Sequence, residues 1–553
     1  MKRFVIVFAI LVPLVCSARG TATWVDADRK LSRNIMPSGS PVLVKEFGYT
    51  VWKGERLNAE AVFRSDRPIE ALVLEPGALR CQNAVIGAEY IKASFLSYVT
   101  GDELVNQYNQ CGARDTINFK SIQVPDLIDD MLSVSMEAGD TQPVWLSINV
   151  PSDAVPGKYK GTLSFVADGK KMAVLEYSFT VSKRVLPPLQ ESPFHLDLWQ
   201  NPYAVARYYD VPLWSWEHFK YLRPVMKLLA DAGQKVITTT IMDRPWNGQT
   251  EDPFGPMVTR MRRVDGTWLF DYSVFDKWVE FMMSLGIDEQ INCYTMIPWA
   301  LTFDYFDQAS NGNATVHAEP GTPEYEAYWA PFIKDFATHL KDKGWFDRTY
   351  IAMDERPEKA MDAVLRLIRK VEPGFKVALA GNYHPSIAGY IDDLCITLGQ
   401  DFPEGVVASR RAFGKISTYY TCCSEKYPNT FLASTPSEAT WLPWLALARG
   451  ADGYLRWAFN SWTADPLHDA RFRTWPAGDC YMVYPGGRSS VRFEKLREGL
   501  QDYFKATILM QEWGPYSART KSLEETLGLF TVKELENKGP RRALEAARQM
   551  LDR

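Results

Sequence analysis

Two acidic residues stand side by side at 354 and 355, where the apolar run Tyr350-Ile351-Ala352-Met353 meets Arg356-Pro357. Read as a buried strand over 348–353 and a helix over 357–371, with Pro at a favourable first-turn position, the segment sets Asp354 and Glu355 at a strand's C-terminal end. Successive strand residues point to opposite faces, so the two carboxyls share a pocket only if the strand stops there and the backbone turns. Pro357 favours that stop. Two acids in different surroundings can be given different pKa values, which is what cleavage of a glycosidic bond requires. The same spacing fits a solvated helix N-terminus, where the dipole favours acids. Spacing alone leaves both readings open.

Other chemistries lack their residues. There is no P-loop, no GxSxG elbow and no HExxH. The six histidines (195, 218, 317, 339, 384 and 468) have no metal-ligand spacing, so neither a metal nor an organic cofactor is expected. Lys plus Arg total 62 against 67 Asp plus Glu, a net charge of −5 without the basic face that nucleic-acid binding needs. The 18 Trp, 26 Tyr and 28 Phe are mostly core material, yet with so few histidines they point to sugar stacking rather than a metal centre.

The elements that must position the acid pair fall into a series. Over 22–187 short β-branched and aromatic runs recur between turn signals, at 42–45, 59–63, 71–74, 144–150, 159–166 and 173–181. Pro156-Gly157 and Asp168-Gly169 mark turns, the second a hairpin, so a β-sandwich is predicted. Pro187-Pro188 reads as the linker. From 190 to 515 strands and amphipathic helices alternate. Candidate strands lie at 194–199, 235–241, 290–297, 348–353, 376–380, 394–398, 416–421 and 453–457. Three helices carry apolar residues at helical spacing: Trp216 to Leu229, Phe275 to Leu285, and Tyr325 to Leu340. Eight strands in series predict a (β/α)8 TIM barrel with its chemistry at the strand C-termini; a doubly wound sheet is second, and no GxGxxG follows its first strand. A helical C-terminal extension occupies 516–553.

The first 18 residues read as a signal peptide: basic Lys2-Arg3, apolar 4–15, and Cys16-Ser17-Ala18 as the cleavage site. A periplasmic or secreted protein is expected, with a lipoprotein through Cys16 as the weaker alternative. No later segment has the length of a membrane span. Of the cysteines, Cys81 with Cys111 is the one plausible bridge, set against scattered buried thiols.

Met353-Asp354-Glu355-Arg356-Pro357 on a fourth barrel strand resembles the Asp-Glu motif of glycoside hydrolase family 123, whose members are retaining exo-β-N-acetylgalactosaminidases. Three further segments fit in order: Leu196-Asp197-Leu198-Trp199-Gln200-Asn201-Pro202, Gly453 to Trp462, and Gly478 to Gly486. The helix motif from Arg492 to Tyr503 fits as well. The resemblance covers the barrel and tail and, more loosely, the sandwich. It implies substrate-assisted catalysis, in which the sugar's 2-acetamido oxygen attacks its own anomeric carbon and forms an oxazoline. Glu355 would then be the general acid/base, and Asp354 would accept the acetamido N–H. The implied partner is a glycan ending in β-linked N-acetylgalactosamine, on a glycolipid or an oligosaccharide.

Supporting residues follow from strand ends. His195, Asp197 and Trp199 share one face of the first strand, and the leucine face suits the helix layer. Asp197 and Trp199 are therefore expected inside, Trp199 at the mouth. Trp299, Trp457 and Trp462 could wall a pyranose, although a tryptophan is more often core. Asn382 and Tyr383 follow the fifth strand. Tyr383 is the first candidate donor to the acetamido oxygen and Tyr420 the second. Asn460 and Asp479 could bind hydroxyls or simply shape loops. Two rivals stand beside this reading. One is a barrel glycosidase acting on another sugar through a distant second carboxylate such as Asp197, Asp243 or Asp479. The other is a glycan-binding barrel without catalysis.

Overall fold

The structure is a computed structural model describing residues 20–29, 31–37, 41–102, 120–473 and 475–552. The segment read as a signal peptide, and Cys111, lie outside these residues. The N-terminal region is all β. A five-stranded antiparallel sheet runs in the order Thr21–Val25, Arg56–Arg64, Thr141–Asn149, Ile91–Asp102, Ser121–Ile128. A second sheet is built on Gly157–Ala167 paired with Lys170–Val185, and Val44–Lys53 runs parallel to the latter. Asp168 and Gly169 turn that hairpin with φ of 50° and 75°, the left-handed geometry an Asp-Gly pair supplies. Phe63 of one sheet stacks on Phe165 of the other at 5.1 Å, and Trp24 meets Tyr177 edge-on at 5.9 Å, so the two inner faces close one apolar core. The strands at 91–102 and 121–128 were not expected. Pro125 and Asp126 break the alternation of the second, which is tolerated because it is a sheet edge.

Of the two readings left open for Cys81, the structure gives the buried free thiol. Its sulfur packs over Gly157, where a Cβ would come within 2.5 Å of it, so the thiol serves as a small buried apolar group. Cys423 is disulfide-bonded.

The eight expected strands form one parallel sheet: His195–Leu198, Val236–Thr240, Gln290–Tyr294, Thr349–Met353, Lys376–Gly381, Asp393–Thr397, Ile416–Tyr420 and Gly453–Arg456. Each is hydrogen-bonded to the next from second to eighth, and the eighth pairs with the first. The first and second touch at Leu196 and Gln234, with the Lys235 N–H donating to Leu196 at 3.0 Å, so the barrel is nearly closed. Helices Trp216–Asp231, Ser273–Met283, Pro323–Lys343 and Glu358–Val371 lay their apolar faces on it. An insert went unread in the sequence. Connections after the second and third strands make a separate four-stranded sheet: Trp268–Asp271, Thr259–Arg262, Thr302–Asp307 and Gly312–His317.

The tail begins with the helix Val491–Trp513, capped by Ser490, and continues as three shorter helices ending at Leu551. Buried ion pairs weld this tail to the sandwich. Arg492 donates to Asp126 at 3.0 Å and to the carbonyls of Thr430, Gly478 and Tyr481, while the Tyr484 hydroxyl donates to the same Asp126 oxygen at 2.6 Å. Lys505 meets Glu55 at 3.0 Å. No described helix is long and apolar enough to cross a membrane.

Candidate active site

The fourth strand ends at Met353, and the chain bends at Glu355. Pro357 does not open the helix as expected. It stays extended (φ −57°, ψ 139°) as the residue before it, so the bend spans Asp354 to Pro357. That bend, rather than strand alternation, brings both acids to the barrel's C-terminal mouth. Asp354 is buried and Glu355 is exposed. Gly381, ending the fifth strand, lets the Glu355 backbone lie close: a Cβ there would stand 3.4 Å from the Glu355 Cα.

The two carboxyls are held differently. Trp299, from the loop after the third strand, donates its indole N–H to Asp354 Oδ2 at 2.7 Å. Asp354 Oδ1 lies 3.3 Å from Arg356 Nε, but the angle is not that of a hydrogen bond, and Oδ1 has no hydrogen-bond donor. Burial pushes the Asp354 carboxyl up to about 6, against the lowering pull of Arg356 and Trp299. Glu355 Oε1 accepts from the Tyr420 hydroxyl at 2.5 Å. One acid is thus a buried, fixed acceptor with a free oxygen, and the other is an exposed, tethered group able to exchange protons with solvent.

The remaining expected residues divide. Trp199 is at the mouth as read, its ring 4.8 Å from Trp246 and 4.5 Å from Tyr294. Trp199 and Trp246, with Phe254, Trp457, Asn247 and Gln249, line a narrow crevice there. Trp457 is partly exposed in it, and Trp299 is exposed beside Asp354. Asn382 is exposed and Tyr383 half-buried, its ring edge-on to Phe402. Tyr420 turns to Glu355, which takes it out of the role of acetamido donor. Trp462 is core and donates to the Val483 carbonyl. Asn460 is fully buried and exchanges both amide atoms with the Asn201 backbone, so it shapes a loop. Asp479 is equally buried, locked to Arg456 at 2.7 Å and reached by the Trp457 indole at 3.3 Å. Asp243 faces Arg244 and Asp304.

Asp197 points inward as read but lies below the mouth, 3.5 Å from the Asn292 amide, and burial raises its carboxyl to about 7. Beneath it His195 pairs with Asp393 at 3.3 Å. Burial opposes both charges, yet each holds the other: His195 above its ordinary range and Asp393 below. One residue was missed. Tyr294 ends the inward face Gln290, Asn292, Tyr294, and its hydroxyl lies near Asp197, Asp393 and Asp354. Strand alternation could have found it, because it stands at the C-terminal end of the third strand. Among the described residues no group of His, Cys, Asp and Glu is arranged to hold a metal ion.

Residues 199–509 match the glycoside hydrolase 123 catalytic domain, and residues 24–167 the glycoside hydrolase 123 N-terminal domain. A family 123 glycoside hydrolase from Clostridium perfringens, solved to explain glycolipid glycan hydrolysis, is 27% identical with a TM-score of 0.87, over 97% of this chain and 98% of that one. A Bacteroides ovatus GH5 xyloglucanase aligns over 83% of this chain and 98% of its own at 8% identity, but its TM-score of 0.29 carries no argument. No curated protein matches the chain.

Proposed function

The chain belongs to glycoside hydrolase family 123 and is a glycoside hydrolase, and from that premise we propose that it removes terminal β-linked N-acetylgalactosamine with retention, using the substrate's own 2-acetamido group as nucleophile. The observation that carries the reading is the division of labour in the acid pair. Asp354 has one oxygen fixed by Trp299 and the other open for an amide N–H. Glu355 has Oε1 held by Tyr420, with Oε2 left for a proton.

In the first step the acetamido carbonyl oxygen bonds to C1 as the glycosidic bond breaks, and the leaving oxygen takes the Glu355 proton. Asp354 accepts the acetamido N–H and stabilises the positive charge that spreads over the oxazoline ring. In the second step Glu355, now a carboxylate, takes a proton from water, whose oxygen bonds to C1 and reopens the ring. Two inversions give retention. The nucleophile arrives with the substrate, so no third carboxylate is needed, and intramolecular attack supplies much of the rate. Asp243 faces Arg244 and Asp304, and Asp479 is locked to Arg456, which supports this reading over double displacement.

Trp199, Trp246 and Trp457 would pack the pyranose, and the Tyr294 hydroxyl, on a ring packed against Trp199, replaces Tyr383 as the donor to the acetamido oxygen. The Clostridium relative's printed link to glycolipid glycans supports a glycolipid glycan as substrate here. Export through residues 1–18 would bring the enzyme to such glycans.

A panel of aryl glycosides tests the sugar: hydrolysis is expected with the β-N-acetylgalactosaminide and not with glycosides lacking the 2-acetamido group. A thiazoline mimic of the oxazoline should inhibit competitively and far more tightly than the free sugar. A covalent sugar–enzyme adduct trapped by a fluorinated substrate would overturn the mechanism in favour of double displacement.

A further inference from the structure

Arg356 has no place in the mechanism above, yet its side chain is only 16% exposed at the mouth. Its guanidinium lies over the Trp299 ring, 5.5 Å from the centroid, and its Nε is 3.3 Å from Asp354 Oδ1. The contact is close enough for a strong charge interaction but lacks hydrogen-bond geometry, and both atoms are without a hydrogen-bond partner. A hydrogen-bonded arginine would take one of the two lone pairs on Oδ1 and crowd the approach of the acetamido N–H. An arginine set over an indole supplies charge and leaves both lone pairs open.

We propose that Arg356 is a positioning residue that keeps Asp354 a carboxylate while leaving Oδ1 free, and that Trp299 serves both by donating to Oδ2 and by carrying the guanidinium on its face. The inference rests on the role given above to Asp354. Planarity is essential to it, since a guanidinium stacks on an aromatic face and a lysine ammonium does not. The groups facing the Asp354 carboxyl are Arg356 and Glu355 beyond its own strand end, Trp299 from the third loop, and Tyr294 from the third strand. Of these only Arg356 carries positive charge.

The test is the pH profile of kcat/KM on nitrophenyl β-N-acetylgalactosaminide for the full-length enzyme, Arg356→Met, Arg356→Lys, Asp354→Asn and the double variant. The wild-type acid limb is expected near pH 6, where burial sets the Asp354 carboxyl. Removing the guanidinium should move that limb up by about one unit, the low end of what a neighbouring charge does, while the alkaline plateau stays within a few-fold. Arg356→Lys should fall between. In the Asp354→Asn background, adding Arg356→Met should change kcat/KM by less than about twofold, because the arginine acts through the carboxylate.

A loss of the same factor at every pH, with the limb unmoved, overturns the inference. So does a full extra loss in the double variant. If Asp354→Asn keeps wild-type activity, the reading of the acid pair falls and takes this inference with it. If Asp354→Asn is crippled while the limb stays put in Arg356→Met, only the role of Arg356 falls. Should Arg356→Met fail to fold, Arg356→Gln reads the same device, since a neutral side chain there must also raise the limb.

Discussion

Two regions bury charge, and they bury it differently. In the seam between the sandwich and the C-terminal helices four carboxylates meet cations: Arg492 is shared among Asp126 and three carbonyls, Lys505 is set on Glu55, and Arg548 reaches Asp502 at 2.8 Å and Glu498 at 3.3 Å. At the barrel mouth and below it, Asp354 Oδ1 and Asp197 Oδ1 have no hydrogen-bond donor, and burial holds both carboxyls above their ordinary range. A buried polar group is expensive to leave unmatched, so a matched cluster reads as structure and an unmatched one as a place awaiting a ligand. The sequence resemblance ran through both regions, Arg492 and Asp354 alike. Only the hydrogen-bond partners separate them.

The largest effect that could break this contrast is on the general acid. Glu355→Gln should lose about 10²–10⁴-fold in kcat/KM on a natural sugar aglycone, and comparatively little on a nitrophenyl glycoside that leaves unaided. Asp354→Asn should lose similarly on both, since it acts on the nucleophile. The opposite pattern would reverse the assigned roles.

Next comes the seam. Arg492→Met strands Asp126 and should remove about 3–5 kcal/mol of stability in urea unfolding, with kcat/KM per folded molecule unchanged. An unchanged unfolding midpoint would erase the contrast from that side.

Third, Asp354→Asn should stabilise the fold above pH 7. The folded carboxyl at about 6 binds its proton more tightly than the unfolded one near 3.8, so the wild type loses stability as pH rises between those values. The asparagine carries no such penalty. A gain on the order of 1–3 kcal/mol is expected at pH 7.5 and none near pH 3.5, read by thermal melting across pH.

The smallest effects sharpen the mouth itself. Tyr294→Phe should reduce kcat/KM about tenfold, the worth of one hydrogen bond. Tyr383→Phe should change it less than about twofold if the acetamido donor is Tyr294. Equal losses would return Tyr383 to the site.

Much of the fold was legible because repetition is local. All eight barrel strands were found within a few residues of their ends, since short β-branched runs alternating with 3.6-residue periodicity leave a βαβ rhythm in the sequence itself. The insert after the second and third strands was not, because its strands are runs of only four to six residues, and its two hairpins become one sheet only where Thr259–Arg262 meets Thr302–Asp307 across separate connections. Whether Cys81 pairs stayed open in the sequence for a related reason: two cysteines in one region say nothing of which face each side chain occupies.

What the sequence determined alone was the acid pair and its place at a strand end, because an apolar strand, two carboxyls and a proline are neighbours in the chain. What only the tertiary structure decided was which of the surrounding polar residues are available. Asn460 and Asp479 looked as fit to bind a sugar as any, but chain segments more than twenty residues away consume them, Asn201 and Arg456 respectively. Tyr294 went unremarked and stands open in the barrel. Hydrogen-bond capacity is set by partners brought together across the fold, and a list of residues in order carries the donors and acceptors but not their pairing.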